Sequence, residues 1–177
     1  MKTINYKNIE WIVLEENEDY KKLITKNILP KEIMEDLTGN NSSYCAFDNV
    51  NNNYETSTIR MIIQNFVVRY LNESDLIKQD NGDYARLIKA EEVIGYDNEL
   101  TQCNDWYWTM TPFFSKDMSR AWRVNRNGNL NYDPVSNDTY DGVRPVIYLK
   151  SNISISKKMT VKEICDELGY EVEIVKE

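Results

Sequence analysis

The sequence predicts an α+β domain built on an antiparallel sheet with one or two packed helices. Three observations carry that class. Ile59, Ile62, Ile63, Phe66, Val67, Tyr70 and Leu71 recur at the i, i+3, i+4, i+7 spacing of one buried helix face. Ile9 to Leu14 and Val143 to Leu149 are β-branched and aromatic runs of strand length. Asn127-Gly128 separates Trp122-Arg123-Val124 from Asn129-Leu130-Asn131-Tyr132, two stretches that alternate large and polar side chains, and this is the pattern of a hairpin with a two-residue turn.

A length of 177 residues suits one domain with a sizeable core. The expected division is residues 1–150 as the domain and 151–177 as a short C-terminal helix-strand extension. Twenty-nine acidic against 21 basic residues leave a net charge of -8, which argues against a nucleic-acid partner because phosphate binding runs on clustered Lys and Arg. Histidine is absent, removing the usual general base and the commonest metal ligand together. Cys45, Cys103 and Cys165 are odd in number and far apart, so three reduced thiols are expected rather than a zinc site or disulfide framework. No metal, cofactor or phosphate-binding glycine loop is expected from the six glycines or from any ligand pattern. Met1 to Lys7 has no apolar run suited to a signal peptide, and no window approaches the roughly 18 apolar residues of a membrane span. The expectation is a soluble chain without membrane insertion, placed in the cytoplasm or on a virion.

Taken in order, Ile9 to Leu14 and Tyr20 to Lys26 read as a β-hairpin across the acidic turn Glu15 to Asp19. Pro30 opens a helix of about two turns over Lys31 to Leu37, which Gly39 stops. Gly39 to Tyr54, with six asparagines, reads as a loop pinned at its middle by Tyr44, Cys45 and Phe47. Ser57 is the N-cap of the long helix, with Gln64 on its exposed side. Asn81-Gly82-Asp83 marks a turn, Tyr84 to Ile88 a short strand, and Ala90 to Ile94 a helical turn ended by Gly95. Pro145 lacks a ladder donor, so Gly142-Val143-Arg144-Pro145 is a strand entrance. Thr160 to Glu163 has a capping-box pattern, Gly169 is a natural C-cap, and Tyr170 to Val175 is strand-like.

Three of the four tryptophans lie between Asp105 and Lys150. Alternation puts Trp106 and Trp108 on one face of a strand and Tyr107 on the other, with Trp108 and Trp122 expected inside together with Trp11. Arg144 is expected to be a structural ion pair or carbonyl clamp, with Asp141 or Asp105 as candidate acids. Tyr107-Trp108-Thr109-Met110-Thr111-Pro112, the Asn125-x-x-Gly128 hairpin and Gly142-Val143-Arg144-Pro145 together resemble an uncharacterised domain family of Firmicutes and their phages. That family is similar to the C-type-lectin-like fold shared with formylglycine-generating enzymes and with variable receptor-binding proteins. The resemblance spans residues 9–150, with Trp11 to Leu14 as the opening strand, Ser57 to Arg60 as the helix start and Ala90 to Val93 before the Trp region. Where members often carry an Arg two residues before the Pro of the Trp motif, this chain has Met110.

The resemblance and the aromatic composition imply a non-enzymatic binding or display module, such as a phage capsid decoration, tail or receptor-binding protein that recognises a cell-surface glycan or protein. Trp106, Tyr107, Tyr132 and Tyr140 are the expected ligand-contacting residues. A purely structural assembly protein, docking through its C-terminal extension without a small ligand, is the alternative, and self-association into a homo-oligomer stays open. Asp105, Asp133, Asp138 and Asp141 could build a paired-carboxylate glycosidase, but nothing in the sequence marks a pair at catalytic separation. The Glu-Pro-Asn, Gln-Pro-Asp and Trp-Asn-Asp strings of calcium-dependent lectins are missing, and Cys103 stands alone where formylglycine generation uses cysteines near the domain's end.

Overall fold

The computed structural model describes residues 1–114 and 117–153, together with Cys165 and Gly169. Its strands and helices in chain order are β1 (Thr3–Tyr6), β2 (Ile9–Glu16), β3 (Tyr20–Thr25), α1 (Lys31–Thr38), α2 (Thr58–Tyr70), β4 (Ala85–Leu87), α3 (Ala90–Gly95), α4 (Asn98–Thr101), β5 (Tyr107–Phe114), β6 (Asp117–Val124), β7 (Leu130–Pro134) and β8 (Pro145–Lys150). The chain is thus α+β and antiparallel throughout its named strands, as predicted, but the described residues make two sheets. One has five strands in the order β1-β2-β3-β8-β4, and the other is the meander β5-β6-β7. The final strand does join the Trp11 strand's sheet through β3, whereas the Asn127-Gly128 hairpin belongs to the smaller sheet. That corrects the expectation of a single sheet, and the reason is that β5 pairs with β6 instead of with the β2–β3 hairpin.

Both faces of the large sheet are covered, which explains why its strands are apolar at consecutive positions. Trp11, Leu23, Ile147, Ala85 and Leu87 point into the larger cluster with Ile59, Ile63 and Phe66 of α2. Ile12, Ile24 and Val146, each one residue out of phase, point into a second cluster with Val93, Tyr107 and Val124. Full burial of each such side chain contributes about 1.5–3 kcal/mol. Helix α2 forms as predicted, with Ser57 accepting from the Arg60 amide at its N-terminus and Ile59, Ile62, Ile63, Phe66 and Val67 buried. Gln64 is a correction, being half-buried with its Nε2 3.0 Å from the Ala85 carbonyl of β4. Gly39, at φ 76°, closes α1 by donating to the Glu35 carbonyl.

Two turns refine the sequence reading. The real two-residue turn is Lys7-Asn8, both at positive φ, which joins β1 to β2 and was not foreseen. The Asn127-Gly128 turn is wider: Asn125 and Asn129 still bond across it, Gly128 donates back to Asn125, and only Gly128 is left-handed at φ 85°. Pro145 opens β8, where its missing donor costs nothing. The predicted C-terminal helix and strand lie outside the described residues, apart from Gly169, which at φ 71° donates to the Cys165 carbonyl as a C-cap does. Among the described residues no helix is long and apolar enough to cross a membrane.

Candidate functional site

The small sheet docks against the β4 end of the large one, where the Met110 amide meets the Ile88 carbonyl. Because side chains alternate, Trp108 and Ala121 enter the larger cluster while Tyr107 and Val124 enter the second. Leu100, Cys103 and Leu130 cover the Tyr107–Val124 end of that second face. Further along the same strands the cover stops and an aromatic group is left open. Trp122 and Tyr132 oppose each other in the β6–β7 register, ring centroids 6.3 Å apart. Phe113 sits between them, 4.8 Å from Trp122 and 4.0 Å from Tyr132, and Phe114 stacks edge-on against Phe113 at 4.4 Å. Phe114, Met118 and Tyr132 are 61%, 55% and 42% exposed. The Arg120 guanidinium lies 5.3 Å from the Tyr132 ring centroid.

Three rings in mutual contact on an open sheet face, with Phe114 against one of them, are not needed to complete a core, and contiguous apolar surface of this kind marks interaction sites. Strand β7 bounds the patch and is poorly suited to pairing with another strand: the Tyr132 amide is occupied by the Asn131 side chain, and Pro134 has no amide to offer. The accessible feature is therefore the face, not the edge.

The predicted contact residues separate. Tyr132 belongs to the aromatic face, and Tyr140, 63% exposed, lies in the segment between β7 and β8 without a ring contact to it. Trp106 is half-buried and lies under the Arg123 guanidinium at 4.1 Å, on the other side of β6 from Trp122. Tyr107 is a correction. It is fully buried, its hydroxyl donates to the Thr101 carbonyl at 2.6 Å and accepts from Arg144, and burial pushes its pKa up to about 12. No ligand reaches it, because α4 seals that end of the face. Trp122, expected inside, is half-exposed for the converse reason: the α4 cover does not extend to it. Phe113, Phe114, Met118 and Arg120 were missed, since their role depends on the β5–β6 pairing, whose register shifts on both sides of Pro112.

Trp11 and Trp108 are structural as expected, both fully buried, with indole nitrogens donating to the Tyr6 and Cys45 carbonyls at 3.1 and 2.9 Å. Arg144 is a carbonyl clamp. It donates to Thr25, Thr101 and Lys26 oxygens, and neither candidate acid joins it, because Asp105 pairs with Arg126 and Asp141 with Arg123.

The side of the small sheet opposite the aromatic face carries charge. Arg123 NH1 holds Asp133 at 2.6 Å and Asp141 at 3.0 Å, so two of the four aspartates considered for a glycosidase do converge. Asp141 is fully buried, however, and a substrate cannot approach it. Among the described residues no group of three or more Cys, Asp or Glu is placed to hold a metal ion. An open groove of about 600 Å³ between the 77–81 segment and β8 mixes Lys78, Arg86 and Lys89 with Glu55 and Asp80 and shows no single-sign field. Comparison with protein-family models, curated proteins and solved structures finds no match. The geometry of the site therefore carries the functional reading by itself.

Proposed function

We propose that this chain is a non-enzymatic recognition and display module that docks a partner surface on the aromatic face of β5, β6 and β7. The observation that carries the reading is the contact group Phe113–Trp122–Tyr132 with Phe114, left open on the small sheet together with the exposed Met118 of β6. Trp, Tyr, Phe, Met and Arg are the residues that concentrate binding energy at protein interfaces. The rings are tilted or edge-on to one another rather than coplanar, and Phe113, Phe114 and Met118 have no polar tips for sugar hydroxyls, which favours a protein surface over a glycan. The setting we propose is the one implied by the resemblance: a C-type-lectin-like scaffold displayed on a phage particle.

A photo-crosslinker placed at Met118, presented to purified particles and to host cell surfaces, tests this directly. The expected result is a partner trapped from Met118 but not from an equivalent probe at Glu32 of α1. Without the probe, Phe114→Ser with Met118→Ser should weaken binding to the trapped partner more than tenfold and leave the melting temperature nearly unchanged. Capture through Tyr140 alone, or particle attachment lost on removing residues 154–177 but not in the double variant, would move the function to another surface.

A further inference from the structure

We propose that Arg123, Asp133 and Asp141 form a proton-dependent lock that ties the segment between β7 and β8 to the β6–β7 pair when Asp141 is protonated and loosens it when Asp141 ionises. The geometry has three parts. Both carboxylates share one guanidinium nitrogen, with Arg123 NH1 2.6 Å from Asp133 and 3.2 and 3.0 Å from the two oxygens of Asp141. Asp141 has no exposure, so two ionised carboxylates against one cation would bury a net negative charge. Arg123 Nε is buried and has no acceptor among the described residues, so the guanidinium holds a second donor that a displaced, ionised carboxylate can take.

The groups facing Asp141 are few. Among the described residues they are Arg123 of β6, Asp133 of β7 and the Cys45 thiol of the loop after α1, on which Asp138 of the same segment also acts. Burial is the largest influence on Asp141, Arg123 opposes it, and Asp133 adds to it; the carboxyl is raised to about 7. Its proton is a donor that Asp133 can accept, and on ionisation that proton passes to solvent. The segment it governs is tied at several points. Asn137 donates to Asp133, the Cys45 amide donates to the Asp141 carbonyl, and Gly142 bonds both ways with the β5 end, its amide to the Trp106 carbonyl and its carbonyl to the Trp108 amide. Tyr140, the most exposed aromatic side chain of the segment, moves with it.

The folded-state value lies above the ordinary carboxylate value, so the stabilisation is complete below about pH 4 and is lost as pH rises toward about 7, by at most about tenfold in the unfolding equilibrium for each pH unit. The chain has no histidine, so no imidazole titrates in this window, and Glu15, Asp36, Asp48, Glu92 and Asp105 are all shifted downward, away from it. The test uses the protein alone and is independent of its partner. Carboxyl carbon NMR should show Asp141 titrating near pH 7, and Asp133→Asn, by giving Arg123 to Asp141 alone, should lower that midpoint by at least one pH unit. Urea unfolding of the wild type should weaken from pH 5 to pH 7, while Asp141→Asn should be flat across the same range. An Asp141 midpoint below pH 5, or an unchanged midpoint in Asp133→Asn, overturns the lock even if Asp141→Asn fails to fold.

Discussion

Arg144 places its Nε 2.7 Å from the carbonyl oxygen of Thr25, a residue at the far end of β3 and 119 positions away in the chain. The same guanidinium reaches Thr101 of α4 at 2.8 Å and Lys26 at 3.3 Å, and its Cζ lies 4.9 Å from the Tyr107 ring centroid. It has no exposure and no carboxylate among the described residues, so the cation is held by carbonyl dipoles and by the hydroxyl and ring of Tyr107. The bond to Thr25 serves a buried carbonyl at the strand's end, and the one to Thr101 adds to the bond that carbonyl already takes from the Tyr107 hydroxyl. Lysine has one donor point on a flexible stem and cannot span three separated oxygens. Arg144→Lys should therefore cost about 3 kcal/mol in urea unfolding; a loss under about 1 kcal/mol would show that the clamp is dispensable.

On α2 two neighbouring positions should differ in size but not in sign. Phe66 is fully buried against Tyr70 at a 5.7 Å ring separation, and Phe66→Ala should cost about 3–5 kcal/mol through the cavity left behind. Gln64→Ala removes the bond to the Ala85 carbonyl on the sheet's edge strand, and about 1 kcal/mol is expected. Equal losses in urea would mean that the helix is rotated from the orientation described.

Glu92 gives a pH dependence opposite in sign to that of Asp141. Burial alone would raise its carboxyl, but the two bonds from Arg86, at 2.6 and 2.7 Å, and the Lys22 ammonium at 2.9 Å override it and hold the value at about 2. A folded value below the ordinary one means stability that is present above about pH 4.5 and lost as pH falls through about 2. Glu92→Gln should lose on the order of 3 kcal/mol at pH 7 and almost nothing, relative to wild type, near pH 2. A difference that persists at pH 2 would assign the loss to packing instead of charge.

What the sequence made legible was governed by local chemistry. Pro30 and Gly39 bracket α1, Ser57 starts α2, the apolar run of Ile9 to Leu14 finds its partner at Tyr20, and Pro145 begins β8, each for a reason contained in a few residues. Strand β1 was missed because Ile4 and Tyr6 are its only large apolar residues and its turn is Lys7-Asn8, not a glycine turn. At the site, the alternation of Trp106, Tyr107 and Trp108 was read correctly in phase, and Trp108 as buried, but Tyr107 was not expected inside. Both sides of β5 are closed at that end, one by α4 and the other by Cys45 and Phe47, and neither cover is written in the strand itself. The aromatic face needed the same non-local knowledge, since it exists where the cover ends.

Gly82 and Gly128 offer a matched test of what long-range packing adds to a turn. Their backbones are alike. Gln79 bonds across to Asp83 and Gly82 back to Gln79, just as Asn125 bonds to Asn129 and Gly128 back to Asn125, and the two glycines stand at φ 84° and 85°. Their surroundings differ. A Cβ at Gly82 meets nothing within 4 Å, whereas one at Gly128 would lie 2.5 Å from Thr101 Oγ1 and 2.9 Å from the Asn98 carbonyl. Thr101 cannot retreat, because it is fully buried and its carbonyl holds both the Tyr107 hydroxyl and Arg144. Gly82→Ala should then cost only the left-handed strain, about 1–2 kcal/mol. Gly128→Ala should add overpacking of about 1–3 kcal/mol and, by pushing α4 outward, expose Tyr107 to solvent. Faster amide exchange at Tyr107 and Trp108 in Gly128→Ala, with none in Gly82→Ala, is the expected result; identical losses and unchanged exchange would show that the hairpin and the Arg144 clamp are independent.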